Sequence, residues 1–282
     1  MKIIRSSREI QKITSKLKKS GRTIGFVPTM GAMHAGHLSL IRKAGKDNSE
    51  VIVSIFVNPI QFGPREDLNQ YPRPIGKDIA ICKKEGVDFI FLPSLKNMYP
   101  DGFNTFVNVL GLTDSLCGVF RPGHFKGVAT VVNKLFNLIH PDSAYFGQKD
   151  CQQALAINKM VRDLNIPVRV KVMPTKRERD GLAMSSRNIY LNPQERKEAV
   201  LLYQGLKLAR CLIKQGERNS ALAINKIRKL LKQSKTICPQ YISIVDLKDL
   251  KPIKALKGKV LIALAAFVGK TRLIDNIIVK IG

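Results

Sequence analysis

Residues 25–40, GFVPTMGAMHAGHLSL, constrain the fold more than any other stretch, because they combine a strand, a turn and a helix start. Ile24, Phe26 and Val27 form the short apolar run that is typical of a central parallel strand. Pro28 has no backbone N–H and is expected to end this strand. A strand that runs through a glycine-containing turn into a helix predicts the first unit of an α/β fold.

Two histidines three residues apart open the helix that follows the turn. Their spacing places His34 and His37 on one face of the first turn, where imidazoles can donate hydrogen bonds to phosphate oxygens. Gly31 and Gly36 allow the backbone to approach a phosphate closely at the positive end of the helix. The alternative is a pair of surface histidines on a capped helix. The whole pattern favours a nucleotide site.

Strand-like and helix-like segments alternate through the first 174 residues. The β-branched run VIVSIFVNP, at residues 51–59, indicates a second strand that is covered on both faces. We therefore expect a Rossmann-like parallel sheet with helices on both faces in residues 1–174. Further helices are predicted at 7–19, 36–46, 74–85 and 127–139, and further strands at 87–92, 103–109, 143–146 and 167–173.

Residues 175–282 are expected to form a smaller α+β domain that closes over the active site. Asn192 is a good N-cap for a long helix beginning at Pro193, and Glu195 completes a capping box. A second helix is predicted at 220–232, and strands at 241–245 and 259–268. The GKT of VGKTRLIDNI lacks the spacing of a phosphate-binding P-loop, so this segment is also interpreted as a strand.

Polar residues follow the predicted strands at the edge of the sheet where ligands usually bind. Asn58 and Gln61 come just after one strand, and Lys149 and Asp150 follow another. A lysine at that place can meet a nucleotide phosphate as a point charge. Residues 184–187, MSSR, form a loop whose hydroxyls and arginine can bind triphosphate oxygens, although a Ser-rich linker between domains is the alternative.

A net charge of +27 raises the possibility of nucleic-acid binding, and an RNA-binding protein of α/β fold is the non-enzyme alternative. Against it, the basic residues are spread along the chain and no RNP-like aromatic motif is present. We expect no nucleic-acid partner and no membrane contact, and a cytoplasmic protein. The five cysteines are scattered without a CxxC pair, so neither disulfides nor a zinc site are indicated, and metal ligands stay unassigned.

The segment PTMGAMHAGHLSLIRKA resembles the signature of the pantoate–β-alanine ligase (pantothenate synthetase) family, within the HxGH nucleotidyltransferases. Similar blocks are FVNPIQF, CGVFRPGHFKG, GQKDCQQ and DGLAMSSRN, and the resemblance extends over residues 23–276. A nucleotidylyltransferase or a tRNA-charging enzyme would share the HxGH motif and the serine-containing loop. The FVNPIQF and GQKDCQQ blocks argue against both.

The resemblance implies ATP-dependent condensation of pantoate with β-alanine through a pantoyl-adenylate, with Mg²⁺ and a homodimer. It implies catalytic roles for His34, His37, Lys149 and Arg187, and substrate contacts for Asn58, Gln61 and Gln153. It assigns ATP binding to Met30, Gly31, His34, His37, Gly147, Gln148, Lys149, Asp150, Lys176, Met184, Ser185, Ser186 and Arg187.

Two positions qualify this assignment. Gln148 stands where the family usually has the glutamate of GEKD, which puts a carboxylate role there in doubt. His124 lies in the CGVFRPGHFKG block and is expected to be structural, because this block shapes the pocket in the family and lies near a domain or subunit contact.

Overall fold

The computed structural model describes residues 1–282, which divide into two compact units. Unit 1 consists of Met1–Thr113, Phe120–Gln148 and Gln152–Pro174. Unit 2 consists of Asp114–Val119, Lys149–Cys151 and Thr175–Gly282. The main transition along the chain therefore falls between Pro174 and Thr175, with two short segments of the N-terminal part grouped with unit 2.

Unit 1 is built on a sheet of six parallel strands in the order β1-β4-β3-β2-β5-β6. From β2 the order runs outward through β3 and β4 on one side and through β5 and β6 on the other, with β1 added at the edge beyond β4. The winding therefore reverses between β2 and β5, and ligands bind at such points. The strands are β1 (Lys2–Ile4), β2 (Ile24–Thr29), β3 (Glu50–Ile55), β4 (Phe89–Phe91), β5 (Ser143–Gly147) and β6 (Arg169–Met173). The sequence pattern did not predict β1.

Helices cover both faces of this sheet, as predicted. The helices in residues 1–174 are α1 (Ser7–Lys19), α2 (Ala35–Asp47), α3 (Ile75–Lys84), α4 (Leu95–Met98), α5 (Cys117–Phe120), α6 (His124–Ile139) and α7 (Cys151–Asp163). Phe26 of β2 packs in a core with residues of α1, α6 and α7, whereas its neighbour Val27 packs in a second core with residues of α2. The alternation along each strand places successive side chains in the two cores.

Pro28 does not end β2, which continues to Thr29. In β2 the Ile24 N–H and C=O face the β5 side, where they bond Asp142, and residues of the same parity face the same way. Pairing between β2 and β5 ends at Phe26, so Pro28 has no β5 partner from which to lose a hydrogen bond. On its other side β2 pairs with β3 through Thr29.

Residues 103–109 form no strand, contrary to the prediction. The segment is held by contacts with α6 instead of by a sheet. The Val107 N–H donates to Thr130 Oγ1 at 3.0 Å, and the ammonium of Lys126 lies 4.2 Å from the centroid of the Phe106 ring. Apolar β-prone residues alone do not form a strand when no neighbouring strand is available.

Unit 2 contains an antiparallel sheet in the order β7-β8-β9 and a group of helices. Asn192 and Glu195 form the predicted capping box, but the helix they begin is interrupted at Ala199. Apolar residues from the helices and the sheet form one core. The elements are α8 (Pro193–Glu198), α9 (Val200–Lys214), α10 (Ser220–Leu231), β7 (Ile237–Asp246), β8 (Lys259–Val268) and β9 (Thr271–Lys280). No helix of the chain has the length and apolar character that crossing a membrane requires.

Candidate active site

The turn between β2 and α2 is held by a buried carboxylate that the sequence analysis did not identify. Asp78, in the first turn of α3, accepts the Ala32 N–H at 2.8 Å and the Met33 N–H at 2.9 Å. Gly31 has a positive φ of 82°, and a Cβ there would lie 2.8 Å from Asp78 Oδ2. Gly31 is therefore needed for the backbone conformation and for the approach of Asp78.

His34 is the N-cap of α2 and not part of its first turn, which corrects the expected placement. Its Nδ1 accepts the Gly36 N–H at 3.1 Å, while His37 Nδ1 accepts the His34 N–H at 3.3 Å. A Cβ at Gly36 would lie 2.7 Å from the His34 ring, so this glycine makes room for the imidazole. The two rings are close neighbours, with centroids 4.1 Å apart.

These bonds define what the two imidazoles can do chemically. A neutral imidazole whose Nδ1 accepts a hydrogen bond carries its proton on Nε2. His34 and His37 therefore both present an Nε2–H donor at the N-terminus of α2, where the helix dipole also favours an anion. Two such donors suit a phosphate group.

The side chains of Asn58 and Gln61 form a buried amide pair at the end of β3. Asn58 Nδ2 donates to Gln61 Oε1 at 3.1 Å and to the Gly127 carbonyl at 3.1 Å, and Tyr99 OH donates to Asn58 Oδ1 at 2.8 Å. Gln61 Nε2 donates to the sulfur of Met30, at 3.1 Å. Both N–H donors of Asn58 are hydrogen-bonded within the protein, so the geometry favours a role in orienting Gln61.

The backbone of Gln61 is also fixed, by residues at the start of α6. His124 Nδ1 lies 2.8 Å from the Gln61 carbonyl oxygen, and Arg121 Nη1 lies 3.0 Å from His124 Nε2. Glu66 binds the Arg121 guanidinium with both oxygens. Burial acts to raise the pKa of Glu66, but Arg121 outweighs it and holds that pKa below its usual range. At Gly127 a Cβ would lie 2.7 Å from the Gln61 nitrogen, so only glycine permits this contact.

The two glutamines at the start of α7 differ in their surroundings. Gln152 is buried and donates to the Leu112 carbonyl at 2.9 Å, so it anchors the chain. Gln153, the predicted substrate contact, is half-buried. Gly147 ends β5, and Gln148 begins a short 3₁₀ turn at the carboxyl end of that strand.

In unit 2, the backbone of Lys149 is held by the last strand of the chain. Asn276 Nδ2, on β9, donates to the Lys149 carbonyl oxygen at 2.8 Å. The Lys149 ammonium lies 3.5 Å from Asp150 Oδ1, and its side chain is 20% exposed. Nothing in the local sequence pairs residue 149 with residue 276, so this contact was not predicted.

The predicted phosphate-binding loop of unit 2 rests on a buried ion pair. Arg177 binds Asp275 through its two terminal guanidinium nitrogens, Nη1 and Nη2, at 2.5 and 2.9 Å, and also donates to the Gly181 carbonyl at 3.2 Å. Its guanidinium stacks 3.7 Å from the centroid of the Tyr203 ring. Burial raises the pKa of Asp275, against the opposite effect of Arg177. The pair is thus a rigid base for the loop.

Within that loop the predicted ATP-binding residues follow one another along the chain. The Lys176 carbonyl accepts the Met184 N–H at 3.0 Å, which closes the loop at its base. Ser185 caps a 3₁₀ turn, Ser186–Tyr190, and accepts the Arg187 N–H at 3.3 Å. Lys176 is exposed, whereas Met184, Ser185, Ser186 and Arg187 are half-buried.

Comparisons with known proteins agree along the whole chain. The sequence model of the pantoate-beta-alanine ligase family matches residues 2–278. A protein described as pantothenate synthetase from Caldicellulosiruptor saccharolyticus is 54% identical over 281 residues, which covers 100% of both chains. Another so described, from Carboxydothermus hydrogenoformans, is 51% identical over 282 residues, also with 100% of both chains covered.

Solved structures give the same result. A pantothenate synthetase from Thermus thermophilus is similar with a TM-score of 0.94 at 44% identity, covering 98% of this chain and 99% of that chain. A pantoate-beta-alanine ligase from Francisella tularensis, complexed with beta-gamma ATP and beta-alanine, has a TM-score of 0.80 at 38% identity, with 98% and 97% covered. Because both the family's sequence pattern and its fold extend over nearly the full length, the chain belongs to the pantoate-beta-alanine ligase family.

Proposed function

We propose that this chain condenses pantoate with β-alanine at the expense of ATP. In the first half-reaction a carboxylate oxygen of pantoate attacks the α-phosphorus, and the bond to the β-phosphate breaks to release pyrophosphate. In the second, the β-alanine amine attacks the acyl carbon of the pantoyl-adenylate, loses a proton, and displaces AMP. The observation that carries the proposal is that His34 and His37, at the start of α2, both accept backbone N–H bonds at Nδ1, which leaves the proton of each neutral ring on Nε2.

The charge of ATP is balanced by donors and cations from several segments in this proposal. His34 and His37 donate to phosphate oxygens as charge develops, and Lys149 and Arg187 neutralise the pyrophosphate leaving group. The remaining ATP contacts that we propose are Met30, Gly31, Gly147, Gln148, Asp150, Lys176, Met184, Ser185 and Ser186.

The acid substrate is proposed to bind through uncharged hydrogen bonds. Gln61 and Gln153 hold pantoate and leave its carboxylate free to attack. Asn58, whose N–H donors are taken up by Gln61 and Gly127, contributes by fixing the Gln61 carboxamide. No side-chain nucleophile takes part, because the acid attacks ATP directly.

Magnesium is proposed to accompany ATP. The structure contains no group of three or more His, Cys, Asp or Glu side chains arranged to hold a metal. This fits Mg²⁺ when the substrate's phosphates and water supply most ligands, as Mg²⁺ binds few protein groups in nucleotide sites. Asp150 is the half-exposed carboxylate beside Lys149, whose ammonium lies 3.5 Å from its Oδ1. When bound, the ion would neutralise phosphate charge.

A homodimer is also proposed. Phe106, Leu110 and Phe120 of unit 1 expose large apolar side chains, with 38%, 72% and 43% of their surfaces accessible. A contact between two copies would remove such surface from water. Light scattering would test the dimer directly. A cytoplasmic location is proposed because ATP is the substrate and all five cysteines are free thiols.

The decisive experiment measures pyrophosphate release from ATP with pantoate present and β-alanine absent. We expect release that requires pantoate, followed by formation of pantothenate when β-alanine is added. Amino acids in place of pantoate are the control, since a tRNA-charging enzyme would release pyrophosphate with one of them. Pyrophosphate release that is the same with and without pantoate would refute the proposal.

A further inference from the structure

We infer that His124, held by Arg121 and Glu66, is a positioning residue that fixes Gln61 for the acid substrate. The inference rests on the proposed function, in which the Gln61 carboxamide binds pantoate. It extends that function to three residues that do not themselves contact the reacting atoms.

The His124 ring lies between a group that only accepts and a group that only donates. The Gln61 carbonyl oxygen, 2.8 Å from Nδ1, accepts hydrogen bonds, and the Arg121 guanidinium, 3.0 Å from Nε2, donates them. A neutral imidazole with its proton on Nδ1 satisfies both neighbours at once. In a protonated ring the Nε2–H would face the guanidinium N–H, and the two donors would repel each other. The neutral Nδ1–H form is therefore the one that these contacts select.

Arg121 is fixed in turn by Glu66. The two guanidinium nitrogens Nε and Nη2 donate to the two Glu66 oxygens at 2.7 and 2.5 Å, which sets the plane of the fork. The Arg121 and Glu66 side chains are only 13% and 23% exposed. A second Arg121 bond, from Nη2, reaches the same Gln61 carbonyl at 3.4 Å. Glu66, Arg121 and His124 thus form one chain of contacts that ends on Gln61.

The side chain of Gln61 is held separately, by hydrogen bonds with Asn58 and Met30. The hydrogen bond from His124 to the Gln61 backbone carbonyl therefore does not decide whether the carboxamide has hydrogen-bond partners. It decides the direction in which the carboxamide points. A tilt of the Gln61 peptide moves the carboxamide relative to the substrate. Such a tilt weakens pantoate binding and leaves the separate contacts of ATP unchanged, which distinguishes positioning from general damage.

The test uses two substitutions at His124 that differ in one donor. An asparagine side chain places an N–H near the position of Nδ1, so His124→Asn retains the bond to the Gln61 carbonyl. His124→Leu has similar bulk and no donor. The matched control is His140→Asn, because His140 is the exposed C-cap of the same helix in the left-handed region, which asparagine tolerates. KM values for pantoate and ATP are measured from pyrophosphate release.

We expect His124→Leu to raise the KM for pantoate about tenfold, the scale of losing one hydrogen bond to a buried carbonyl, with the KM for ATP within about twofold. His124→Asn should remain within about threefold of wild type for both, and His140→Asn should match wild type. If His124→Leu does not fold in a thermal melt, His124→Phe provides the same comparison, since it fills the place of the ring without a donor.

Equal rises in both KM values, or an unchanged pantoate KM in His124→Leu, would overturn the inference while leaving the proposed function standing. Failure of His124→Asn to restore the pantoate KM would also overturn it, because the donor would not be what matters. A wild-type chain that releases no pyrophosphate with pantoate would overturn both.

Discussion

We propose that His37 combines two tasks in one side chain. Its Nδ1 accepts the His34 N–H at 3.3 Å and so helps to cap α2, while its Nε2 carries the proton that it would donate to a phosphate. Loss of the ring removes both tasks, so a simple truncation cannot separate capping from catalysis. Amide side chains can separate them, because glutamine reaches the place of Nε2 and asparagine the place of Nδ1.

We predict that His37→Ala slows the adenylation step at least tenfold, about 1.4 kcal/mol, because one preorganised donor to phosphate is lost. His37→Gln should retain more activity than His37→Asn, since only glutamine keeps a donor near Nε2. The measurement is single-turnover formation of pantoyl-adenylate. An alanine variant as fast as wild type would make His37 a capping residue only.

Lys149 and Gln148 are adjacent but are expected to contribute unequally. Lys149→Ala should reduce kcat/KM for ATP about a hundredfold, the scale of one lost charge partner of the leaving group. Gln148→Glu should change it less than about tenfold, because a side-chain charge at a helix start is worth only about 0.3–1 kcal/mol. Both variants are assayed across a magnesium titration. A hundredfold gain or a strongly lowered magnesium requirement in Gln148→Glu would show that the missing carboxylate matters.

At the scale of elements, Asp142 joins α1 and β2 just before β5. Its Oδ1 accepts from the Lys18 ammonium at 2.5 Å, and its Oδ2 accepts the Ile24 N–H at 2.7 Å. Burial acts to raise the pKa of Asp142, but Lys18 and the Ile24 amide outweigh it and hold the pKa below its usual range. The ionised carboxylate therefore stabilises the folded state.

Because the pKa of Asp142 is lowered by folding, its contribution is complete above the unfolded pKa of about 3.9 and is lost as pH falls through the lower folded value. Asp142→Asn should decrease the free energy of unfolding by about 1 kcal/mol at pH 7 and flatten its decline below about pH 4. The control is Asp163→Asn, whose pair with Lys159 is exposed. Denaturant unfolding across pH measures both; parallel pH curves for wild type and Asp142→Asn would contradict the prediction.

For the whole molecule, 48 basic residues against 21 acidic ones leave a net charge of +27. The excess positive charges repel one another in the compact state. Each exposed ion pair, such as Lys2 with Glu9, contributes little to stability. The repulsion is distributed over both units and is open to screening by salt.

We predict that raising KCl from about 0.05 to 0.5 M increases Tm by about 2–4 °C, which corresponds to about 1 kcal/mol for a chain of this size. Chloride is preferred to sulfate or phosphate, which stabilise proteins by exclusion from the surface and would confound the result. Sucrose serves as a control for non-ionic stabilisation. A Tm that falls with KCl would mean that attractive pairs outweigh the net repulsion.

Most of the elements follow from local sequence pattern. The periodicity of Ser7–Lys19 and the apolar run of β3 predicted both elements, and the HxGH spacing brought together two imidazoles that the structure places 4.1 Å apart. The capping box at Asn192 was equally readable. These features depend only on residues that are close to one another in the sequence.

Contacts between distant residues were decided by the tertiary structure. Asp78 holds a turn 46 residues earlier, and His124 holds a carbonyl 63 residues earlier, with no local signal for either pairing. Residues 103–109 have strand-like composition but lie against α6, since a strand requires a partner that only the fold supplies. By itself the sequence predicted most of the elements and the candidate side chains of the site. The tertiary structure decided which backbone atoms orient those side chains, because that orientation depends on groups brought together only by folding.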